Sequence, residues 1–239
     1  MRNECALTGS AWQSAATKWC LWIFRSNEND VLAVITDPRG RKAVREDMWD
    51  GFHGPAVVDE WSTYGNQTAI QRCWAHLLRE VAHSKRHLSM AVRFQNACTP
   101  CSPNSTELKK LQESNPPMNA GEDAKQKPDG VIEKLVEEYS EYTELSKPVT
   151  YIRNGLGHWY TCLLYPRMEP TNNLGEQAIR EHVLIRKITG TFRSENGSQN
   201  YQYIASLLAT WKLKDMNMFE ELEKLMRQRL CLSTGTDRG

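Results

Sequence analysis

One acidic side chain in this sequence stands among basic residues at a spacing suited to chemistry on phosphate. Glu176 lies in residues 171–180, which read TNNLGEQAIR. Four basic residues lie within seventeen positions after it: Arg180, Arg186, Lys187 and Arg193. A carboxylate can hold a divalent cation, and guanidinium groups suit bidentate contacts with phosphate. The segment therefore favours part of a phosphoryl-transfer site, with the four basic residues contacting a DNA backbone.

The same segment has a simpler interpretation as the start of a helix. Asn173 can cap the helix, and Glu176 three residues later can complete a capping box. The basic residues are equally compatible with a solvated helix face. Taken alone, residues 171–180 leave both interpretations open.

A second carboxylate follows a short apolar run. Residues 55–58 read PAVV and predict a buried strand that ends at Asp59. Glu60 would point to the opposite face of that strand, so Asp59 is the predicted metal ligand of the two. An aspartate that turns the chain at a strand end is the alternative.

Three blocks in order resemble a known family. They are PAVVDEWSTY at 55–64, IQRCWAHLLRE at 70–80 and the segment that contains Glu176. Together they resemble the DDE transposases of the insertion-sequence-66 family, over a stretch from about Trp19 to Phe219. The resemblance implies that Asp59 and Glu176 are the second and third catalytic acids.

The resemblance also implies a mechanism and partners. Asp59 and Glu176 would hold Mg²⁺ or Mn²⁺ in a two-metal site that cuts and rejoins DNA. Transposon ends and target DNA would be the partners, the protein would be a homo-oligomer, and it would have no small-molecule substrate. Family members carry N-terminal zinc-binding and end-recognition regions, so the chain is expected to be an N-terminally truncated core.

The first catalytic acid is not recognisable. When the family's D-x-T-G segment is aligned on Thr8 and Gly9, its aspartate position holds Ala6. Glu4 is the nearest carboxylate, and Asp37 is a further candidate that more simply begins an Asp-Pro turn. This leaves a non-catalytic DNA-binding or oligomerising remnant as the alternative to an active transposase.

The sequence around these acids predicts strands and helices that together form an α/β fold. Aromatic and β-branched runs at 19–24 and 31–35 predict a hairpin, and residues 70–81 predict a strand that leads into a helix. The resemblance implies a ribonuclease-H-like mixed sheet with a mainly helical insertion and C-terminal helices.

The expected organisation is one catalytic core over residues 1–239. Its parts are a sheet region at 1–84, a helical insertion at 85–165, and the Glu176 helix with C-terminal helices at 166–239. Residues 98–130 lack an apolar period and predict a linker or poorly ordered loop. Apolar residues at helical spacing predict two core faces. One comprises Ile132, Leu135, Val136 and Tyr139, and the other Ile204, Leu207, Leu208 and Trp211.

Cysteine and histidine spacing raises one further possibility. Cys73-x-x-His76 and Cys98-x-x-Cys101 offer four zinc ligands with acceptable local spacing, as in a structural zinc module. The CWAH block of the family accounts for the first pair in another way, as a packed Cys73 and a His76 near the active site.

Bulk composition adds little about function. Thirty Lys and Arg residues against 29 Asp and Glu give a net charge of +1, so any DNA-binding surface must come from local clusters. The sequence contains no apolar run of membrane-spanning length and no signal peptide, which predicts a cytoplasmic protein, nucleoid-associated when bound to DNA, with free thiols.

Overall fold

The protein has a mixed α/β fold, as the sequence predicted, and helices predominate in it. A computed structural model describes residues 5–13, 18–26, 28, 30–36, 54–59, 69–83, 93, 96, 110, 118–165, 168–190, 192 and 194–234. The strands are β1 (Cys5–Gln13), β2 (Lys18–Ser26), β3 (Val31–Thr36), β4 (Ala56–Val58) and β5 (Ile70–Arg72). The helices are α1 (Trp74–His83), α2 (Met118–Tyr139), α3 (Ser146–Arg153), α4 (Asn173–Thr189), α5 (Glu195–Leu213) and α6 (Met218–Thr234), with 3-10 turns at Thr143–Leu145 and Thr161–Leu164.

The chain divides into two compact units. The first comprises Met1–Thr8 and Arg39–Glu176, and the second comprises Gly9–Pro38 and Gln177–Gly239. Both predicted carboxylates, Asp59 and Glu176, belong to the first unit.

Parallel pairing in the first unit aligns the strand ends that carry the candidate site. β4 pairs in parallel with the start of β1, where Ala6 lies opposite Val57. It also pairs in parallel with β5, where Val58 lies opposite Arg72. All three β4 residues are buried, as expected for a strand between two neighbours. Asp59 and Cys73 therefore follow the carboxyl ends of adjacent strands.

Helices supply most of the core of the first unit. The α2 face of Ile132, Leu135, Val136 and Tyr139 is buried, so that core prediction is confirmed. The centroids of Trp74 and Trp159 lie 5.4 Å apart in an edge-to-face pair. The indole N–H of Trp74 donates to the carbonyl oxygen of Trp159 at 2.6 Å, which satisfies a polar group inside the core.

The prediction of a linker or loop at 98–130 is wrong for residues 118–130, because they form the first part of α2. Residues 122–130 are exposed or half-buried and none is buried, so this part of the helix needs no apolar period. Ala, Glu, Lys and Gln are good helix formers, and Lys125 pairs with Asp129 one turn later. Residues 98–117, apart from Lys110, lie outside the described part of the chain.

The predicted hairpin is present in the second unit, where it packs under α5. β2 and β3 pair antiparallel, with Trp22 opposite Val34. Three side chains at four-residue spacing on α5 accept hydrogen bonds from alternate backbone N–H groups of β3. The pairs are Gln202 with Ile35, Ser206 with Ala33 and Thr210 with Val31, each at 2.9 Å.

These three hydrogen bonds explain why the second core face was predicted wrongly for three of its four residues. Trp211 is buried, but Ile204, Leu207 and Leu208 are 55%, 40% and 39% exposed. α5 meets β3 through these side-chain oxygens and through Ala205, which is buried in one cluster with Val31 and Ala33. Ile204, Leu207 and Leu208 are therefore left at the surface.

Among the described residues, no helix is both long enough and apolar enough to cross a membrane.

Candidate active site

Asp59, the predicted second catalytic acid, is buried after the end of β4. Its residue is only 7% exposed. The backbone N–H of Cys73 donates to the carbonyl oxygen of Val58 at 3.1 Å. This bond holds the start of α1 against the residue that precedes Asp59.

Cys73 lies between β5 and α1 and joins two segments that are far apart in sequence. Its Sγ accepts a hydrogen bond from the backbone N–H of Asn172 at 3.2 Å. Burial raises the pKa of the thiol, and the N–H groups of Asn172, His76 and Ala75 oppose that rise. The thiol is therefore a neutral, packed group that stands among several backbone donors.

The segment that leads into α4 is fixed to the start of α1. The backbone N–H of Trp74 donates to the carbonyl oxygen of Pro170 at 3.0 Å. The N–H of Glu176 donates to the carbonyl oxygen of Asn172 at 3.0 Å, which is the first bond of the helix. Since α4 begins at Asn173, the residue before the helix is Asn172, one position earlier than the sequence predicted.

Glycine is required at the residue before Glu176. A Cβ added at Gly175 would lie 2.7 Å from Oδ1 of Asn172, closer than real Cβ contacts allow. Asn172 is completely buried, so it has little freedom to give way. The glycine therefore lets the first turn of α4 close over the Asn172 side chain.

The carboxylate of Glu176 lies beside an imidazole. Its Oε1 is 3.5 Å from Nε2 of His76, and both side chains are partly exposed. Burial lowers the pKa of His76, Glu176 opposes that shift, and the positive charges of Arg79 and Arg72 add to it. Nδ1 of His76 is buried and has no hydrogen-bond partner among the described residues.

Three potential metal ligands meet at this point. Sγ of Cys73, a ring nitrogen of His76 and a carboxylate oxygen of Glu176 all lie within 4.8 Å of one another. The sequence motif had singled out Cys73 and His76 as a pair, but their association with Glu176 depends on the tertiary fold.

Arg72 is a residue that the sequence interpretation missed. It is only 8% exposed, and its guanidinium carbon lies 5.5 Å from the centroid of Tyr151 and 5.9 Å from that of Trp159. Its charge contributes to the lowered pKa of His76. The signal in the sequence was a charged residue at the end of an otherwise buried strand.

The predicted basic residues belong to the second unit. Arg180 and Lys187 are exposed on α4, and Arg186 is partly exposed. Arg193 lies outside the described residues. So do the other candidates Glu4, Asp37, Glu60, Cys98 and Cys101.

The donor groups at this site fit a divalent ion. Glu176 supplies a hard oxygen ligand of the kind that Mg²⁺ accepts alongside water and phosphate, whereas Asp59 is not part of this group of donors. The thiol of Cys73 and the imidazole of His76 are softer ligands close to the same glutamate. Ala6, the position at which the resemblance predicted the first acid, carries no carboxylate.

Comparison with known proteins identifies the family. The chain is 27% identical over 240 residues to the uncharacterized protein y4qI of Sinorhizobium fredii, an alignment that covers 88% of this chain. It covers 43% of y4qI, so the chain spans less than half the length of that relative. Residues 8–200 match the family described as Transposase IS66 family. Since that match covers most of the sequence, the chain belongs to the IS66 transposase family.

Proposed function

We propose that this chain is the catalytic core of a transposase that cuts and rejoins DNA strands with Asp59, Glu176 and Mg²⁺ or Mn²⁺. The proposed fold of that core is ribonuclease-H-like, with residues 85–165 as a mainly helical insertion between the two acids. Family membership supports the general role. The observation that carries the assignment of residues is the set of bonds that tie both acids to the start of α1.

Those bonds form a continuous connection. Cys73 donates to Val58 beside Asp59, Trp74 donates to Pro170, and Sγ of Cys73 accepts from Asn172 at the start of the Glu176 helix. The residue before Asp59 and the segment before the Glu176 helix are thus both bonded to residues 73–74. Such preorganisation is what a metal-dependent site requires, because small displacements of ligands greatly reduce the rate.

The residues of this chain have distinct proposed roles. Mg²⁺, when bound by the acids, would activate the attacking oxygen and stabilise the leaving oxygen of an in-line displacement at phosphorus. Asp59 and Glu176 hold it, and His76 orients Glu176. Arg72 supplies a buried positive charge that acts on His76. Arg180, Arg186, Lys187 and Arg193 bind the DNA backbone without reading its sequence.

Ala6 favours a second candidate function. Position 6 pairs with Val57, two residues before Asp59 on the neighbouring strand, and carries a methyl group where the family has a carboxylate. A missing shared ligand would remove most of the rate, because metal ligands act as a unit. The alternative is therefore a non-catalytic remnant that binds DNA or self-associates.

A nicking assay separates the two candidates. Purified chain is incubated with labelled DNA and Mg²⁺ or Mn²⁺, beside Asp59→Asn, Glu176→Gln and Ala6→Asp. Glu169→Gln is the matched control, because Glu169 is exposed and lies on the same segment outside the cluster. Nicking that Asp59→Asn and Glu176→Gln abolish and Glu169→Gln preserves supports the transposase core.

The remaining outcomes are equally informative. Nicking only in Ala6→Asp identifies a catalyst that has lost its first acid. DNA binding without nicking in every version supports the remnant. Self-association is part of the same proposal, and light scattering that finds a monomer both with and without DNA would contradict it.

A further inference from the structure

We propose that Cys73, His76 and Glu176 form a binding site for Zn²⁺, and that Zn²⁺ at this site competes with Mg²⁺ for Glu176. The Zn²⁺ site itself is independent of the proposed function, whereas the competition rests on it. This ligand set differs from the four-residue set that spacing suggested, because Glu176 takes part and Cys98 and Cys101 are not needed.

The spacing of the donor atoms fits a tetrahedral ion. Ligand distances of about 2.1 Å for nitrogen and oxygen place two such atoms about 3.4 Å apart at a tetrahedral angle. Nε2 of His76 and Oε1 of Glu176 are 3.5 Å apart. A thiolate at about 2.3 Å would lie about 3.6 Å from either atom. Sγ of Cys73 lies within 4.8 Å of a ring nitrogen of His76 and of a carboxylate oxygen of Glu176, so the three donors are close enough for a small adjustment to bring them to one ion.

The ligands are held in place by contacts that do not depend on the ion. Cys73 directly precedes α1 and His76 lies in the first turn of that helix, so both side chains lie near the same helix end. Glu176 is brought to them by the Trp74 to Pro170 bond and by the tight turn at Gly175. The backbone N–H of Asn172 points at Sγ of Cys73, an arrangement that also stabilises a metal-bound thiolate.

The chemistry of the three donors selects the ion. Thiolate and imidazole favour Zn²⁺ over Mg²⁺, which prefers oxygen ligands. On binding, the Cys73 thiol releases its proton to solvent, His76 coordinates as neutral imidazole, and Glu176 coordinates as carboxylate. One thiolate and one carboxylate balance the charge of Zn²⁺, which lowers the cost of holding the ion in a partly buried site. Three protein ligands leave a fourth position for water.

Zinc binding is measured on the full chain with Cys98→Ser and Cys101→Ser, which removes the other candidate pair. Equilibrium dialysis should give one Zn²⁺ per chain. Co²⁺ in place of Zn²⁺ should give a thiolate-to-cobalt charge-transfer band in the near ultraviolet. Cys73→Ser, His76→Asn and Glu176→Gln should each weaken binding by at least about tenfold, and Cys73→Ser should abolish the band.

Matched controls exclude a general effect of losing a buried thiol or imidazole. Cys162→Ser removes a buried cysteine of the same unit, and His158→Asn removes a partly buried histidine of that unit. Both should keep the full Zn²⁺ affinity and the band. Circular dichroism establishes that each variant is folded. No stoichiometric Zn²⁺, or a band that survives in folded Cys73→Ser, would overturn the site.

The competition has its own readout. If the unmodified chain nicks DNA, Zn²⁺ should inhibit it and added Mg²⁺ should reverse the inhibition, while folded Cys73→Ser should need at least about tenfold more Zn²⁺. Equal inhibition of both proteins would overturn the competition. Zn²⁺ binding by a chain that never nicks DNA would support the Zn²⁺ site and reject the catalytic function. Failure of the Zn²⁺ site and failure of the proposed function are therefore distinguishable.

Discussion

His76 and Glu176 stand a hundred positions apart in sequence, yet their side chains meet at 3.5 Å where α1 and α4 begin. His76 lies on the first turn of α1 and Glu176 on the first turn of α4. Each helix start is fixed to the other by backbone bonds, so this pair is a consequence of the fold. A histidine whose pKa is lowered by burial is neutral near pH 7 and can orient a carboxylate without adding a charge.

His76→Gln should lower the rate of metal-dependent DNA nicking by about tenfold or more, because Glu176 loses its orienting partner. The apparent affinity for DNA should change little, since His76 is not among the proposed backbone contacts. Single-turnover kinetics and a DNA-binding titration measure the two quantities. His83→Gln, on an exposed residue at the end of α1, is the control. An unchanged rate in folded His76→Gln would contradict the positioning role.

Gly175→Ala should lower the free energy of unfolding by about 1–3 kcal/mol, because the new Cβ would overlap the buried Asn172 side chain. Urea unfolding of the purified chain measures this. Gly130→Ala is the matched control, since Gly130 is helical and a Cβ there meets nothing within 4 Å. That control should be neutral or stabilising by up to about 1 kcal/mol. Equal effects of the two substitutions would argue against the close packing at Asn172.

Gln71→Leu should destabilise the first unit by about 2–4 kcal/mol, because one buried amide satisfies three backbone groups. Its Nε2 donates to the carbonyl oxygens of Arg72 at 2.7 Å and Trp159 at 2.8 Å, and its Oε1 accepts from the N–H of Cys162 at 2.8 Å. Denaturant unfolding monitored by tryptophan fluorescence measures the loss. Gln126→Leu changes an exposed glutamine and should cost little. A loss under about 0.5 kcal/mol in Gln71→Leu would show that the buried groups find other partners.

His182 should make the second unit less stable in mild acid. Burial lowers its pKa from the ordinary value of 6.5, and its Nδ1 is 2.8 Å from the hydroxyl of Tyr201. The unfolded chain therefore takes up a proton at higher pH than the folded chain. Stability is fully present above pH 6.5 and falls as the pH drops from 6.5 towards the lowered pKa.

The measurement is the free energy of unfolding as a function of pH for the unmodified chain and for His182→Gln. The variant should show a shallower fall below pH 6.5. His76 and His158, whose pKa values are also lowered by burial, contribute in the same direction and keep the slope from vanishing. A slope that is identical in both proteins would remove His182 from the explanation.

Local patterns in the sequence were enough to predict several elements. A short apolar run predicted β4, aromatic and β-branched runs predicted the hairpin of β2 and β3, and apolar spacing predicted the buried face of α2. In each case a side-chain period reports which face is covered. The three blocks that resemble the family added proposed catalytic roles for Asp59 and Glu176.

Other features could not be predicted because they depend on partners distant in sequence. The polar first half of α2 gives no apolar period, so composition alone suggested a loop. Backbone N–H groups of β3 donate to polar side chains of α5, and no pattern of hydrophobic residues can report these hydrogen bonds. The meeting of His76 and Glu176, and the burial of Arg72 on aromatic rings, likewise require residues from several segments.

The three hydrogen bonds between β3 and α5 have a consequence for how the molecule behaves at high concentration. A bare strand edge can recruit a strand from another molecule and so initiate aggregation. On β3 the N–H groups of Val31, Ala33 and Ile35 are already occupied by the side chains of one helix. The hairpin is therefore protected from intermolecular strand addition on that side, and the protection is lost whenever α5 detaches, even while the hairpin itself remains folded.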